Sequence, residues 1–235
     1  MTVMELLIVV AIIALLSALA IPAIKGLTRS NTISSANRQL LDDVALARQR
    51  AINERSIVHI VFVPLSPVMQ QVKILGTDTL RNRSAISNLL GGSQTRYALF
   101  AERSAGDQPG QHHPRYLTGW HTLPEGVFFP DWMLDGPESL ESIRIPFPTI
   151  DGQPQDLAHI AFDYSGSIID KNGIRRPEGT AISLARGSIL VSRDPSGGVN
   201  VDVREIPANN SRDNYNRIKI DGLTGRARVE RPEIQ

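Results

Sequence analysis

The sequence contains no cysteine, and this absence excludes several kinds of protein. Disulfide scaffolds, cysteine nucleophiles, iron–sulfur clusters and zinc sites with thiolate ligands all need a residue that the chain lacks. Aromatic residues are scarce, at 5%. An excess of one charge is also missing, because 25 Lys+Arg stand against 24 Asp+Glu. The formal net charge of +1 therefore favours neither nucleic acid nor membrane as a partner.

Charge is almost absent from the N-terminal segment. Of residues 1–24, 20 are apolar and Glu5 carries the only charge. Residues 6–24 are uncharged. As a helix that rises about 1.5 Å per residue they would cover roughly 28 Å, close to the about 30 Å of a bilayer's hydrocarbon core. The segment therefore predicts a membrane-spanning helix.

Two common interpretations of this segment leave something unexplained. A secretory signal peptide has a basic start and a shorter apolar stretch, whereas no Lys or Arg precedes this one. A generic membrane anchor has the right length but leaves Glu5 as a costly carboxylate in an apolar helix. Lys25 and Arg29 follow the segment, and by the positive-inside rule they would place the rest of the chain in the cytoplasm.

The first residues, Met1-Thr2-Val3-Met4-Glu5-Leu6-Leu7-Ile8, resemble the start of a mature type IV pilin or pseudopilin. In that family a prepilin peptidase removes a short basic leader and methylates the new amino terminus. The resemblance implies that Met1 is the processed, N-methylated residue and that the missing positive charges belonged to the leader. It also implies that Pro22 is the proline that the family often carries at this point of its helix. An ordinary anchor stays as the alternative.

The resemblance gives Glu5 a role in assembly. A carboxylate in an apolar environment needs a cation or a proton. In the family the partner is the amino terminus of a neighbouring subunit, so the pair would set the register of one subunit against the next. The alternative is that Glu5 lies at the level of the lipid headgroups without a role.

A long helix is predicted from what the next residues lack. Proline is absent from 23–63, and apolar residues recur there at steps of three or four. The members of this face are Ile33, Ala36, Leu40, Val44, Ala47 and Ala51. We therefore expect one helix from about residue 2 to about residue 54, bent near Pro22. Residues 1–25 would be its transmembrane and filament-core half, and residues 26–55 its amphipathic half.

Residues 56–235 have a different character, with short β-like runs separated by Gly, Pro, Asn and Asp. The runs are 57–63, 97–102, 126–129, 159–164, 181–185, 188–192, 199–204 and 217–220. A further strand at 70–75 and a short helix at 85–90 are weaker expectations. The predicted fold class is α+β: a long N-terminal helix, kinked near Pro22, packed on a C-terminal antiparallel β-sheet head, as in the pilin fold.

Short pieces of this head resemble one subclass, the H-type pseudopilins and FimT-like minor pilins. They are Leu46-Ala47-Arg48-Gln49-Arg50-Ala51-Ile52, Trp120-His121-Thr122-Leu123-Pro124-Glu125-Gly126, Ile160-Ala161-Phe162-Asp163-Tyr164-Ser165-Gly166 and residues 218–229. The chain has extra sequence at about 64–119 and 133–157 compared with most of that subclass, and no role is assigned to these loops.

No catalytic constellation is found, so the chain is not expected to be an enzyme or to hold a cofactor. His112-His113, near His121, lack a carboxylate cluster with metal-site spacing, and a solvated loop is expected there. Asp170-Lys171-Asn172-Gly173 lacks the ligand alternation of a calcium loop, and a β-turn is expected.

One basic element offers a binding alternative. Gly225-Arg226-Ala227-Arg228 resembles a GRxR element that FimT-like pilins use in DNA capture. In a strand, Arg226 and Arg228 would project to one face, where two guanidiniums can grip phosphates. The opposing interpretation is an edge strand whose arginines are solvated and paired with nearby Glu230.

The sequence as a whole predicts a structural subunit of a type IV pilus-like or type II secretion-like filament. Its partners would be copies of itself or other pilin-like subunits, the prepilin peptidase and, before assembly, the bacterial inner membrane, which it would cross once. The assembled filament would be periplasmic or extracellular. The alternative is a membrane-tethered minor pilin-like protein that binds a ligand such as DNA through Arg226 and Arg228.

Overall fold

The computed structural model describes most of the 235 residues. The described ranges are 3–66, 68–69, 91–103, 106–108, 111, 113–136, 139–147, 154–193, 199–213 and 215–230, with the side chains of 15–31, 193 and 199 left out. Met1 and the expected elements at 70–75 and 85–90 lie outside the described residues.

Helix α1 extends over Val3–Glu54. Its interior contains one proline, Pro22, and one glycine, Gly26, so few residues in it oppose helix formation. The helical backbone continues through Pro22. The expected kink falls where side chains are not described. Short helices later in the chain include α2 (Asp131–Asp135) and α3 (Asn210–Asp213).

Twelve strands follow α1 among the described residues, and most are short. They are β1 (Val58–Phe62), β2 (Arg96–Ala101), β3 (Arg115–Tyr116), β4 (His121–Thr122), β5 (Val127–Phe128), β6 (Ser142–Pro146), β7 (Pro154–Phe162), β8 (Ile168–Ile169), β9 (Thr180–Arg193), β10 (Val199–Glu205), β11 (Asn216–Ile220) and β12 (Ala227–Glu230).

The strands form two antiparallel sheets. The first has seven strands in the order β3-β2-β1-β7-β6, with β4 paired to β2 and β8 paired to β7. The second has five strands in the order β10-β9-β11-β12, with β5 paired to β9. β9 organises the second sheet, because its first residues pair with β11 and its last seven pair with β10.

The main core lies between α1 and both sheets. Alternate residues of β1, β2 and β7 point to it from the first sheet, since successive side chains of a strand face opposite sides. Ile182 and Leu184 of β9, with Ile218 and Ile220 of β11, enter it from the second sheet. From α1 it receives the apolar face identified in the sequence, Ile33, Ala36, Leu40, Val44, Ala47 and Ala51, all buried.

A second apolar cluster covers the opposite face of the first sheet. It contains Val61 and Val63 at the end of β1, Ala98 and Phe100 of β2, and Leu157 of β7. Trp120 and Val201 of β10 pack against it. The hairpin formed by β9 and β10 therefore reaches the outer side of the first sheet, and both faces of that sheet are covered.

The predicted fold class is wrong. The strands form two separate antiparallel sheets where one antiparallel β-sheet head was expected, so the chain does not have the α+β pilin fold. The physical reason is that short β-like runs indicate strands, whereas their pairing depends on contacts between residues distant in sequence.

Among the described residues, no helix combines the length and the apolar character that crossing a bilayer requires. The predicted transmembrane helix and the predicted single-pass location in the bacterial inner membrane are therefore wrong.

Two of the predicted strands form one longer strand, β9. Two separate runs were expected at 181–185 and 188–192, and the structure joins them in β9. Gly187 lies at the junction, where an added Cβ would be 2.5 Å from the carbonyl oxygen of Arg204. The glycine permits the close approach of β10, so it continues the strand instead of ending it.

Candidate functional site

The candidate site is the N-terminal apolar surface, which we define as the side chains of residues 3–14 of α1. Every one of these residues is exposed. The large apolar members keep between 49% and 83% of their surface accessible. They are Val3, Met4, Leu6, Leu7, Ile8, Val9, Val10, Ile12 and Ile13. Such a continuous apolar surface is typical of a site that binds another molecule.

The surface surrounds the helix on all sides. Consecutive residues of an α-helix are about 100° apart, so five consecutive apolar residues reach every side of it. Leu6, Leu7, Ile8, Val9 and Val10 are such a run, and all five are exposed. An amphipathic helix has one apolar stripe, whereas this segment has no polar side on which water could solvate it. A partner on one side would leave much of the surface in water.

Glu5 carries the one charge on this surface. It lies in the first turn of α1 and is exposed. A carboxylate in the first turn of a helix is favourably placed, because the helix dipole is positive at that end. Of the other residues predicted to act in assembly, Met1 lies outside the described residues. Pro22 is part of the helical backbone, and its side chain is not described.

The second half of α1 is fixed to both sheets by polar contacts as well as by the core. The guanidinium of Arg48 donates a hydrogen bond of 2.6 Å to the carbonyl oxygen of Thr224, in the turn between β11 and β12. The amide of Gln39 donates one of 3.2 Å to the carbonyl oxygen of Thr122 in β4. These contacts hold the helix in one orientation against the sheets.

Asp43 is a buried carboxylate on the packed side of α1. One of its oxygens, Oδ2, accepts a 2.6 Å hydrogen bond from the Tyr97 hydroxyl and lies 2.8 Å from Nδ1 of His121. Burial is the main cause that raises the pKa of Tyr97 well above its usual range, and the hydrogen bond to Asp43 adds to it. This network links α1 to β2 and β4. Because the buried carboxylate of Asp43 has hydrogen-bond partners on both strands, the network indicates a structural role.

The structure places the two arginines of the predicted DNA-binding element at the start of β12. Arg226 is exposed and comes just before β12, whereas Arg228 lies within the strand. The guanidinium of Arg228 is 3.1 Å from the carboxylate of Glu230. Gly225 has a φ of +63°, and a Cβ there would be 2.1 Å from the carbonyl oxygen of Gly166. The glycine of this element is therefore required by backbone packing. DNA binding through the two arginines stays a prediction.

The structure also shows where the predicted histidine loop and the predicted β-turn at Asp170 lie. His113 is exposed, with Nδ1 2.9 Å from Asp107, and His112 lies outside the described residues. His121 belongs to the Asp43 network. Asp170 accepts backbone hydrogen bonds from Asn172 and Ile174, as in a turn. Within the described ranges, no group of three or more His, Cys, Asp or Glu residues could hold a metal ion.

A pair of buried histidines was not recognised from the sequence. His59 of β1 and His159 of β7 lie diagonally across neighbouring strands, with ring centres 5.1 Å apart. Nε2 of His59 is 3.0 Å from the carboxylate of Glu102, and its buried Nδ1 has no hydrogen-bond partner within the described residues. The Nδ1 of His159 donates to the carbonyl oxygen of Glu141 at 3.0 Å.

Burial sets the protonation of this pair. It is the main cause that lowers the pKa of His159 from its usual 6.5 to about 4, and the neighbouring His59 adds to the effect. His159 is therefore neutral near pH 7. The two residues are 100 positions apart, so only the register of β1 with β7 reveals them as neighbours.

Comparisons with models of protein families, with curated proteins and with solved structures find no match for this chain.

Proposed function

We propose that the chain is a structural subunit of a filament and that it assembles with other copies through the N-terminal apolar surface. The observation that carries the proposal is the exposure of large apolar side chains on every side of α1 over residues 3–14. Burying such side chains is favourable by about 25 cal/mol per Å² of apolar surface, so association is strongly driven.

The shape of the surface favours several identical partners over one different partner. A groove on another protein covers one side of an amphipathic helix. A helix that is apolar all round is covered when neighbouring helices of the same kind surround it, as in the interior of a bundle. Repetition of one contact between copies generates an extended assembly when its rotation does not close into a ring.

Glu5 would then set the register between neighbouring helices. Inside a bundle of apolar helices a carboxylate is stabilised by a positively charged partner. In the family that the first residues resemble, this partner is the amino terminus of a neighbouring subunit. Pairing of the two groups would favour one longitudinal offset between helices, because any other offset leaves a charge buried without a partner.

The first residues of the sequence support the same proposal. Their resemblance to type IV pilins and pseudopilins suggests a type IV pilus-like or type II secretion-like filament, with the peptidase of that family as a processing partner. The resemblance is confined mainly to the N-terminal segment, and the fold of the rest of the chain gives it no support. The exposed apolar surface therefore carries the proposal.

Substitution of Glu5 tests the proposal. We expect Glu5→Gln to lower the amount of sedimenting polymer at least about tenfold, because loss of a buried charge pair leaves the amine uncompensated, and one factor of ten corresponds to about 1.4 kcal/mol. Electron microscopy and sedimentation of the full chain measure the effect. Asp42→Asn removes a carboxylate from the exposed side of the same helix. It is the matched control and should assemble normally.

Because the chain contains no cysteine, introduced cysteines allow a second test by disulfide cross-linking. Val9→Cys should form disulfide-linked dimers under oxidation, since copies of the surface would meet there, whereas Leu46→Cys on the exposed part of α1 beside the sheets should not. If Glu5→Gln and the parent chain gave the same amount of sedimenting polymer, the proposed role of Glu5 in assembly would be contradicted. Failure of Val9→Cys to cross-link would contradict assembly through this surface.

A further inference from the structure

A groove on the second sheet is formed by residues that filament assembly does not use. It has a volume of about 360 Å³ and lies between α2 and the strands β9 and β11. Its described lining includes Trp132, Tyr215, Arg176, Arg217, Ser139 and Thr180. Its volume is in the range of sites for small organic molecules.

Two aromatic residues, Trp132 and Tyr215, line the groove. The rings of Trp132 and Tyr215 are 5.6 Å apart in an edge-to-face arrangement. The indole N–H of Trp132 donates to the carbonyl oxygen of Ser211 at 3.1 Å, which fixes the orientation of the ring. Met133, the next residue of α2, is buried, and its sulfur accepts a hydrogen bond from the backbone N–H of Ser183. The indole of Trp132 is therefore held in one orientation, which favours the stacking of a flat ring on it.

Two arginines, Arg176 and Arg217, also line the groove. Arg176 is held by Glu178 at 3.0 Å and Glu141 at 3.7 Å. Arg217 is exposed on β11, and its side chain makes no hydrogen bond or ion pair with any residue that the structure describes. Its nearest carboxylate by strand register, Glu230, is instead paired with Arg228 and Lys219. Arg217 is thus available to a ligand.

The polar lining selects the kind of ligand. The described residues that line the groove include two arginines and four hydroxyl side chains but no carboxylate or carboxamide. Binding of a sugar relies on acceptors for its hydroxyl groups, and the described lining is poor in them. A guanidinium matches the geometry of a phosphate, to which it donates two hydrogen bonds.

From this arrangement we propose that the groove binds a nucleoside phosphate, with the base against Trp132 and Tyr215 and the phosphate on Arg217. The ligand is a free nucleotide or a nucleotide unit within a single strand, since both present the same base and phosphate. Hydrogen bonds from Ser139 or Thr180 would add contacts to the ribose. The site is independent of filament assembly and of the Arg226 and Arg228 element.

Tryptophan fluorescence tests the proposal with the full chain in a non-ionic detergent. The chain has two tryptophans, and Trp120 packs on the outer face of the first sheet, so Trp120→Phe leaves Trp132 as the reporter. Adenosine monophosphate should quench this signal with saturation. Inorganic phosphate should compete only weakly, because it lacks the base. A short single-stranded oligonucleotide that binds when adenosine monophosphate does not would identify the chain-bound nucleotide as the ligand.

The role of Arg217 is tested by matched variants. Arg217→Gln should raise the Kd at least about tenfold, and Arg217→Lys, which keeps the charge without the forked geometry, should have an intermediate effect. Arg204→Gln removes the same charge from the exposed strand β10 and should leave the Kd unchanged. Circular dichroism confirms that each variant is folded. The proposal would be overturned if neither the nucleotide nor the oligonucleotide gave saturable quenching, or if glucuronate alone did. It would also be overturned if Arg204→Gln raised the Kd as much as Arg217→Gln.

Discussion

Single residues decide how this protein responds to pH, and His159 is the clearest case. Its side chain is buried on the outer face of the first sheet beside His59, and burial lowers its pKa from 6.5 to about 4. In the unfolded chain the imidazole has its ordinary pKa. The folded state therefore binds this proton less readily than the unfolded state, and acid favours unfolding between those two pKa values.

We expect the free energy of unfolding to fall by about 2 kcal/mol between pH 7 and pH 5 through this residue alone. Well above pH 6.5 the residue contributes almost no pH dependence, because it is then neutral in both the folded and the unfolded state. His159→Asn, which preserves a donor near the position of Nδ1, should remove this part of the pH dependence. Urea unfolding at the two pH values, followed by circular dichroism, measures it.

The exposed His113 provides the control for this measurement. His113→Asn removes a titratable group beside Asp107 at the surface, and it should leave the loss of stability between pH 7 and pH 5 nearly as large as in the parent chain. A parent chain whose stability does not change between these pH values would show that His159 is not held neutral by the fold.

At the scale of elements, the contacts between turns depend on glycine. Gly225 begins the connection to β12 with a φ of +63°, and Gly166 precedes β8 with a φ of +82°. The two backbones approach so closely that a Cβ on Gly225 would lie 2.1 Å from the carbonyl oxygen of Gly166. Arg48 of α1 packs against both positions. This junction therefore joins the helix to a turn from each sheet.

Gly225→Ala should destabilise the protein by about 3–4 kcal/mol, because the new methyl group requires movement of backbone as well as an unfavourable φ. Gly173→Ala is the matched control: its φ of +78° is similar, but an added Cβ there meets nothing within 4 Å. Gly173→Ala should lower the free energy of unfolding by only about 1–2 kcal/mol. Thermal unfolding measures both. Equal losses from the two variants would show that the approach to Gly166 is unimportant.

The elements also show what the sequence can and cannot predict. The apolar face of α1 from Ile33 to Ala51 follows from helical spacing, because local periodicity determines which side of a helix is buried. β9 was divided in two at Gly187, since a glycine in a strand pattern indicates a turn until its neighbour is known. The division into two sheets depends on which strands β9 contacts, and such long-range pairing leaves no local pattern.

The same limit applies to the candidate sites. The N-terminal apolar surface is contiguous in sequence, so composition alone reveals it. His59 and His159 become neighbours only through the pairing of β1 with β7. Trp132 and Arg217 line the same groove although α2 and β11 are far apart in the sequence. The separation of each pair in sequence explains why no motif indicated either site.

At the scale of the whole molecule, one core joins α1 to both sheets. Leu40 is completely buried in it, together with residues of β1, β2, β7, β9 and β11. A domain held by one continuous core unfolds in a single cooperative transition. The helix and the two sheets should therefore lose structure together, although the sheets share no strand.

Leu40→Ala should lower the free energy of unfolding by about 2–5 kcal/mol, because it removes buried apolar contacts and leaves a cavity. The unfolding midpoint should shift equally whether Trp120 beside the first sheet or Trp132 beside the second is the reporter. Leu46→Ala, at a site on the same helix that is 36% exposed, should cost less than about 1 kcal/mol. Separate midpoints for the two reporters would contradict a single core.

The continuity of α1 also determines how the protein would carry mechanical load. A pull on the N-terminal end of this helix is transmitted along its backbone to the segment from Ile33 to Ala51, which contacts both sheets at once. The force then acts in shear on many side-chain contacts and on the Arg48 anchor, and it does not peel one strand at a time from an edge. Axial tension along α1 is therefore the direction in which this head should resist unfolding most.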